Sequence, residues 1–283
     1  MLDLPVLPKQ FLQTTPQYIV FFFYVTARIS GLFLLVPIFS NNTLSKQTKS
    51  ALVFFLALLL SLTLHKHFIG NQASLPLKEL ELHGNMGLLF IALNTIKELL
   101  VGILIGFCFT LLYEALMLAG HTVGVMIGFS VAELLDPVSN TSQSIISQVF
   151  TILMTLIMLA MDYHLMFFQV LGDSFYIIPV GQYEMPQELL HELTRGTGKI
   201  FTYSLQYAAI PYVILFLVTL ALGFMAKIMP EMNIFMVGFP LRILIGFYTL
   251  IISISYFPLV IKKAMAEYYN LANIITHLIA PEA

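Results

Sequence analysis

"GLLFIALNTIKELLVGILIGFCFTLLYEALMLAGHTVGVMIGF" runs from Gly87 to Phe129 without a proline or a polar loop. As one helix these 43 residues would reach about 65 Å at 1.5 Å per residue. That is about twice the hydrocarbon thickness of a bilayer. The run is either a hairpin with a hidden turn, or one long bent helix that leaves the bilayer while still covered by apolar partners. No turn dipeptide of the usual kind breaks it. This favours the long helix and makes protein, not lipid, its main surroundings.

The rest of the chain is equally oily. Of its 283 residues, 59% are hydrophobic and only 10% are charged; the mean hydropathy is +0.90. A soluble domain carries about 25% charged residues, so this composition cannot cover a globule with charge, and the bilayer is the natural solvent. The net charge of −2 gives no argument for nucleic acid. The single cysteine, Cys108, lies inside the long apolar run, so no intrachain disulfide is expected. The N-terminus "MLDLPVLPKQ" lacks the basic start and cleavage site of a signal peptide and reads as part of the mature chain. No Pro/Gly/Ser linker divides the chain. The fold class is therefore all-α, a polytopic helical membrane protein.

Six regions are long and apolar enough, or nearly so, to span. They are Tyr18–Phe39, Ala51–Leu64 (short for a span), the run from Gly87, Ile145–Leu171, Ile200–Ala226 (bent or started at Pro211) and Ile234–Ile261. The last two are joined only by "KIMPEMN", Lys227 to Asn233, which predicts an antiparallel helical hairpin. If all six span, one face receives Lys9, Lys66, Lys78, Arg195, Lys199, Lys262 and Lys263, and the other Lys46, Lys49 and Lys227. The positive-inside rule then favours a cytoplasmic N-terminus.

Charges inside or at the edges of these helices are Arg28, Lys97, Glu98, Glu114, Asp162 and Arg242. Such residues pair or line water. Three are basic and three acidic, so they form either a proton or ion relay or structural pairs fastening helices or subunits. Gly102 and Gly106 form a small-xxx-small pair, and Gly120, Gly124 and Gly128 repeat the spacing, placing glycines on one stripe where a second backbone can approach. The last trio runs into the polar stretch Ser130–Ser144, with Asp136, Pro137, Ser139 and Asn140. That stretch is either a solvated connection or the lining or stopper of an aqueous conduit, since non-helical backbone at membrane depth is tolerated only there. The histidines are scattered, and no metal-ligand spacing, Walker loop, dinucleotide fingerprint or GxSxG elbow appears. No metal site, cofactor or catalytic pair is expected, and the 14 methionines read as soft packing material.

"ARISGLFLLVPIF" (Ala27–Phe39), "KELLVGILIGF" (Lys97–Phe107), "AGHTVGVMIGF" followed by Asp136-Pro137, "GDSFYIIPVG" (Gly172–Gly181) and "MPEMNIFMVGFPLRILIGF" (Met229–Phe247) occur in this order over nearly the whole chain. The ordered set resembles the FliR family, the R component of the bacterial flagellar export gate, whose injectisome counterpart is the T component. The resemblance implies a non-enzymatic inner-membrane subunit of the flagellar basal body. It implies assembly with P-type and Q-type subunits into a helical, cone-like gate raised above the bilayer, wrapped by a B-type switch protein and traversed by exported flagellar proteins. It further implies a P-subunit-like region over 1–198 and a Q-subunit-like hairpin with a C-terminal tail over 199–283, the 227–233 bend facing the cytoplasm. Carried over, the family's plug maps to Gly120, Gly124, Gly128, Phe129, Asp136, Pro137 and the polar residues to Ser144, Ser139 and Asn140 among them. The competing reading of the intramembrane charges is a polytopic solute transporter or ion channel.

Overall fold

The computed structural model describes residues 9–40, 45–70, 85–129, 145–183, 185–231 and 233–281, and every regular element among them is helical. The helices are α1 (Lys9–Leu35), α2 (Pro37–Ser40), α3 (Lys46–Gly70), α4 (Asn85–Ile127), α5 (Ile145–Ala160), α6 (His164–Ile177), α7 (Gln187–Tyr207), α8 (Ala209–Ile228), α9 (Ile234–Ile254) and α10 (Phe257–Leu278). Five contain stretches long and apolar enough to cross a membrane: Tyr18–Leu35, Lys46–Leu64, Leu89–Ile127, Ala209–Ile228 and Met236–Ile254. The expected all-α membrane architecture holds.

Local chemistry explains where most helices stop and start. α1 ends at Leu35 because Val36 precedes a proline, which disfavours the helical region there, and Pro37 then opens α2. Ser45 caps α3, its Oγ accepting the Thr48 N–H at 3.1 Å. The short region expected over Ala51–Leu64 is in fact a 25-residue helix, because Lys46, Gln47 and Thr48 continue the helical turns upstream of the apolar run. The long third region is a single helix of 43 residues, α4. It ends at Gly128, whose φ of +106° lets its N–H turn back to the Gly124 carbonyl at 3.1 Å.

Three expected spans are broken. Ile145–Leu171 divides into α5 and α6, bent by 69°; at the break Asp162 adopts φ +57°, a conformation aspartate tolerates better than most residues. Ile200–Ala226 joins the end of α7 to α8 across a break at Ala208, with Pro211 placed in the first turn of α8, where a proline is harmless. Ile234–Ile261 stops at Ser255–Tyr256, and Pro258 sits in the first turn of α10. The positive-inside count rested on six uninterrupted spans, so its premise fails at these breaks. The predicted hairpin is present: α8 pairs with α9, and the Asn233 side chain caps α9 by accepting the Met236 N–H. The hairpin leads into the 22-residue helix α10.

The chain forms two interleaved compact units, one from residues 1–110, 167–191 and 272–283, the other from 111–166 and 192–271. The expected 198/199 boundary falls inside α7. In the first unit α1 packs against α3, and Tyr24, Ile29, Ile105, Phe109 and Phe167 are buried. In the second, the Phe257 ring meets Phe150 edge-on at 4.9 Å and Tyr207 at 6.1 Å.

Candidate functional site

Within the first unit, α1 and α4 cross where each presents a glycine. A Cβ on Gly102 would lie 1.9 Å from the Arg28 carbonyl oxygen, and one on Gly31 would lie 2.3 Å from the Leu99 carbonyl oxygen. A Cβ on Gly106, one turn further along α4, would lie 3.1 Å from the Leu32 carbonyl oxygen. Only glycine permits this backbone contact, which is the packing use of small residues in apolar helices.

The crossing delivers a charge pair. Glu98 stands one turn before Gly102 on the same face of α4. Arg28 is 0% exposed and Glu98 1%, and Arg28 Nε donates to Glu98 Oε2 at 2.7 Å. Arg28 Nη1 donates to Ser174 Oγ at 3.1 Å and Nη2 to the Ile178 carbonyl at 3.3 Å. The guanidinium also lies 4.2 Å from the centre of the Phe175 ring. The other Glu98 oxygen, Oε1, accepts the Gly181 N–H at 2.8 Å. Gly181 is held at φ +80° in a four-residue turn closed from Gln182 N–H to the Pro179 carbonyl. A type II turn needs glycine at this position. One ion pair thus joins α1, α4, the end of α6 and the turn after it. Burying a charge is tolerated when it is both paired and hydrogen-bonded, and both conditions are met.

The other predicted charges lie elsewhere. Lys97 holds its ammonium 5.8 Å above the Tyr183 ring, a cation–π contact. Glu114 is exposed, and Asp162 is exposed in the α5–α6 turn. Arg242 is half-buried on α9, with its Nε buried and unpartnered.

In the second unit the end of α4 is an arrangement of close approaches. A Cβ on Gly120 would lie 2.6 Å from Ser147 Cα, so α5 crosses α4 backbone to backbone there. Ser147 Oγ ties the crossing by donating to the Met117 carbonyl at 3.0 Å. Gly124 is buried. Gly128 faces the Phe239 ring of α9, which a Cβ would approach to 3.2 Å. Phe129 meets Phe247 edge-on at 6.1 Å. A Cβ on Gly246 would lie 2.5 Å from Ile127 Cγ1. The hairpin helix α9 therefore lies along residues 127–129, where the predicted plug stretch begins. Asp136, Pro137, Ser139 and Asn140 lie outside the described residues.

One polar cluster is not anticipated by the sequence pattern. Glu267 of α10 accepts from the Lys199 ammonium and the Tyr203 hydroxyl of α7. Burial pushes the Glu267 carboxyl up, but the hydrogen bonds from Lys199 and Tyr203 and the charges of Lys199 and Lys263 outweigh it, and the net shift is downward. Tyr203 is held well above the usual tyrosine range, first by burial and then by Glu267. The signal for it lies in the helical pattern of α7 and α10, whose charged residues recur among apolar ones. No group of three or more His, Cys, Asp or Glu able to hold a metal occurs among the described residues.

The sequence pattern of the family described as bacterial export proteins, family 1, matches residues 19–268. The chain is similar to a protein of Pectobacterium carotovorum named flagellar biosynthetic protein FliR, 27% identical over 258 residues, covering 91% of this chain and 93% of that one. It is similar to the FliR of Bacillus subtilis at 28% identity, covering 87% and 90% of the two chains. The FliR of Escherichia coli is 25% identical, with 91% and 93% covered.

Proposed function

The chain belongs to the bacterial export proteins, family 1, and on that footing we propose that it is a core subunit of the flagellar protein-export gate. It works without catalysis, in the inner membrane at the flagellar basal body. It assembles with P-type and Q-type gate subunits and a B-type switch protein, and exported flagellar proteins pass through the conduit they form. Residues 1–198 serve as the P-like region and 199–283 as the Q-like hairpin with its helical tail. The stretch from Gly120 to Ser144, including Asp136, Pro137, Ser139 and Asn140, stops the conduit at rest.

One observation carries this reading beyond the family match. The spans of α8 and α9 are only 17% and 28% buried by their own chain, yet α9 is seated on the glycine-capped end of α4. An apolar hairpin exposed on its outer sides and anchored beside a polar segment suits a subunit whose surface is completed by neighbours around a wet passage. Phe216, Phe224, Leu244, Tyr248 and Ile251 are among the large side chains left uncovered.

The test is replacement of Gly128 or Gly124 by aspartate in the full chain. Flagellar protein export, read by blotting culture supernatants, should be lost while the protein accumulates in membranes at its usual level. Undiminished export would refute the role given to the glycine stripe. The purified chain alone, reconstituted in vesicles, should give no solute flux.

A further inference from the structure

Arg242 is the one charged residue of α9, and it lies within the apolar stretch Met236–Ile254. Arg28 has all three nitrogens engaged; Arg242 differs. Its Nε is buried without a partner, and it forms none of the ion pairs found among the described residues. An arginine cannot escape by losing its proton, so a cation in such surroundings requires an anion.

Helical spacing locates this cation. Arg242 comes three residues after Phe239 and four before Gly246, so the three share one face of α9. Phe239 and Gly246 both meet the end of α4, at Gly128 and Ile127. Arg242 is therefore at the edge of that contact, and Leu241 and Leu244 beside it are 40% and 70% exposed. A helix laid over Leu241 and Leu244 would bring its own side chain to the guanidinium. The site asks for a planar anion that can accept two parallel N–H donors, which a carboxylate does. A lipid phosphate fits less well. Arg242 lies six residues inside the stretch from Met236, about 9 Å along the helix, and its Nε is turned into the protein rather than reaching for the membrane surface.

We infer that Arg242 is a docking point for an aspartate or glutamate carried on an apolar helix of a neighbouring subunit, so that docking neutralises a charge left open among the described residues. The inference rests on the reading of the chain as an export-gate subunit.

The experiment uses the full chain with Arg242→Met, Arg242→Lys or Arg242→Glu, co-expressed with the other gate components and solubilised in mild detergent. Two quantities are read: the partner subunits that co-purify, and the thermal midpoint of the chain purified alone. Arg242→Met alone should melt no lower than the unaltered chain, because the cation has no ion-pair partner among the described residues. Its recovery of partners should still fall by at least about thirtyfold, the low end for losing one member of a buried charge pair. Arg242→Glu should fall as far, and Arg242→Lys less. Motile revertants of Arg242→Glu should replace an acidic residue of another subunit by a neutral or basic one. Full recovery of partners by Arg242→Met would overturn the proposal. So would revertants confined to Glu133 or Asp136 of this chain, or restoration of the complex by added anionic lipid alone. If the unaltered chain recovers no partner subunit, the export-gate reading itself falls, and the docking site with it; that result is seen before any variant is compared.

Discussion

At the scale of single residues, the most deeply buried ion pair among the described residues is Arg28–Glu98, tied to Ser174, Ile178 and Gly181. Removing one partner leaves an uncompensated charge in an apolar interior, at a cost of about 3–5 kcal/mol. Glu98→Gln should therefore lower the thermal midpoint of the detergent-solubilised chain sharply. Arg28→Met combined with Glu98→Leu should lower it by less than either single change. An additive double-mutant cycle would show that the two side chains do not act as a unit. The requirement for partners was legible in the sequence, because six charges stand in or beside apolar helices. The partner was not, because Arg28 and Glu98 are 70 residues apart and nothing local links them. Gly102 belongs to the same device: it lets the α1 backbone close to contact one turn from Glu98. Gly31, its counterpart on α1, has Ala27 four residues before it but no second glycine at that spacing, so no glycine repeat marks it.

At the scale of elements, two features decide the architecture, the length of α4 and the positions of the breaks. The length was legible, since 43 residues without proline or polar loop leave little alternative to a helix. The break at 208 was legible only as a bend or start at Pro211, three residues on; those at 161–163 and 255–256 were not, since no proline stands near the first and a proline in a first turn, as Pro258 is, is compatible with an unbroken reading nearby. α7 and the later part of α10 were missed for a different reason: they are amphipathic, and a search for apolar runs passes over them. Their contact yields a pH prediction. Glu267 has its carboxyl lowered on folding, so its contribution is present above the ordinary value of 4.5 and lost as pH falls through the folded value. The group is 38% exposed, so screening keeps the effect small. The thermal midpoint should decline modestly on acidification below that value, and Glu267→Gln should flatten this part of the profile. At the end of α4, Gly128→Ala should cost about 1–2 kcal/mol, because a φ of +106° lies where L side chains are strained. Thermal unfolding of the purified chain measures it.

At the scale of the whole molecule, the composition made a membrane protein unavoidable, and the order of its motifs alone pointed to the export family. The interleaving of the two compact units was not legible, because it depends on which segments return to one another rather than on where apolar runs lie. The exposed faces of α3, α8 and α9 arise from the same composition: their spans are 11%, 17% and 28% buried, so lipid or other subunits must cover the remainder. As an export-gate subunit, the protein is proposed to hold the polar segment after Gly128 in the path of exported proteins. The most direct measurement places a single cysteine at Asn140, with Cys108 replaced by serine, and asks for a disulfide or bismaleimide crosslink to an export substrate stalled by a folded C-terminal fusion. The account predicts a crosslinked species that appears only when export is engaged. Active export with no crosslink at Asn140 or its neighbours would contradict it.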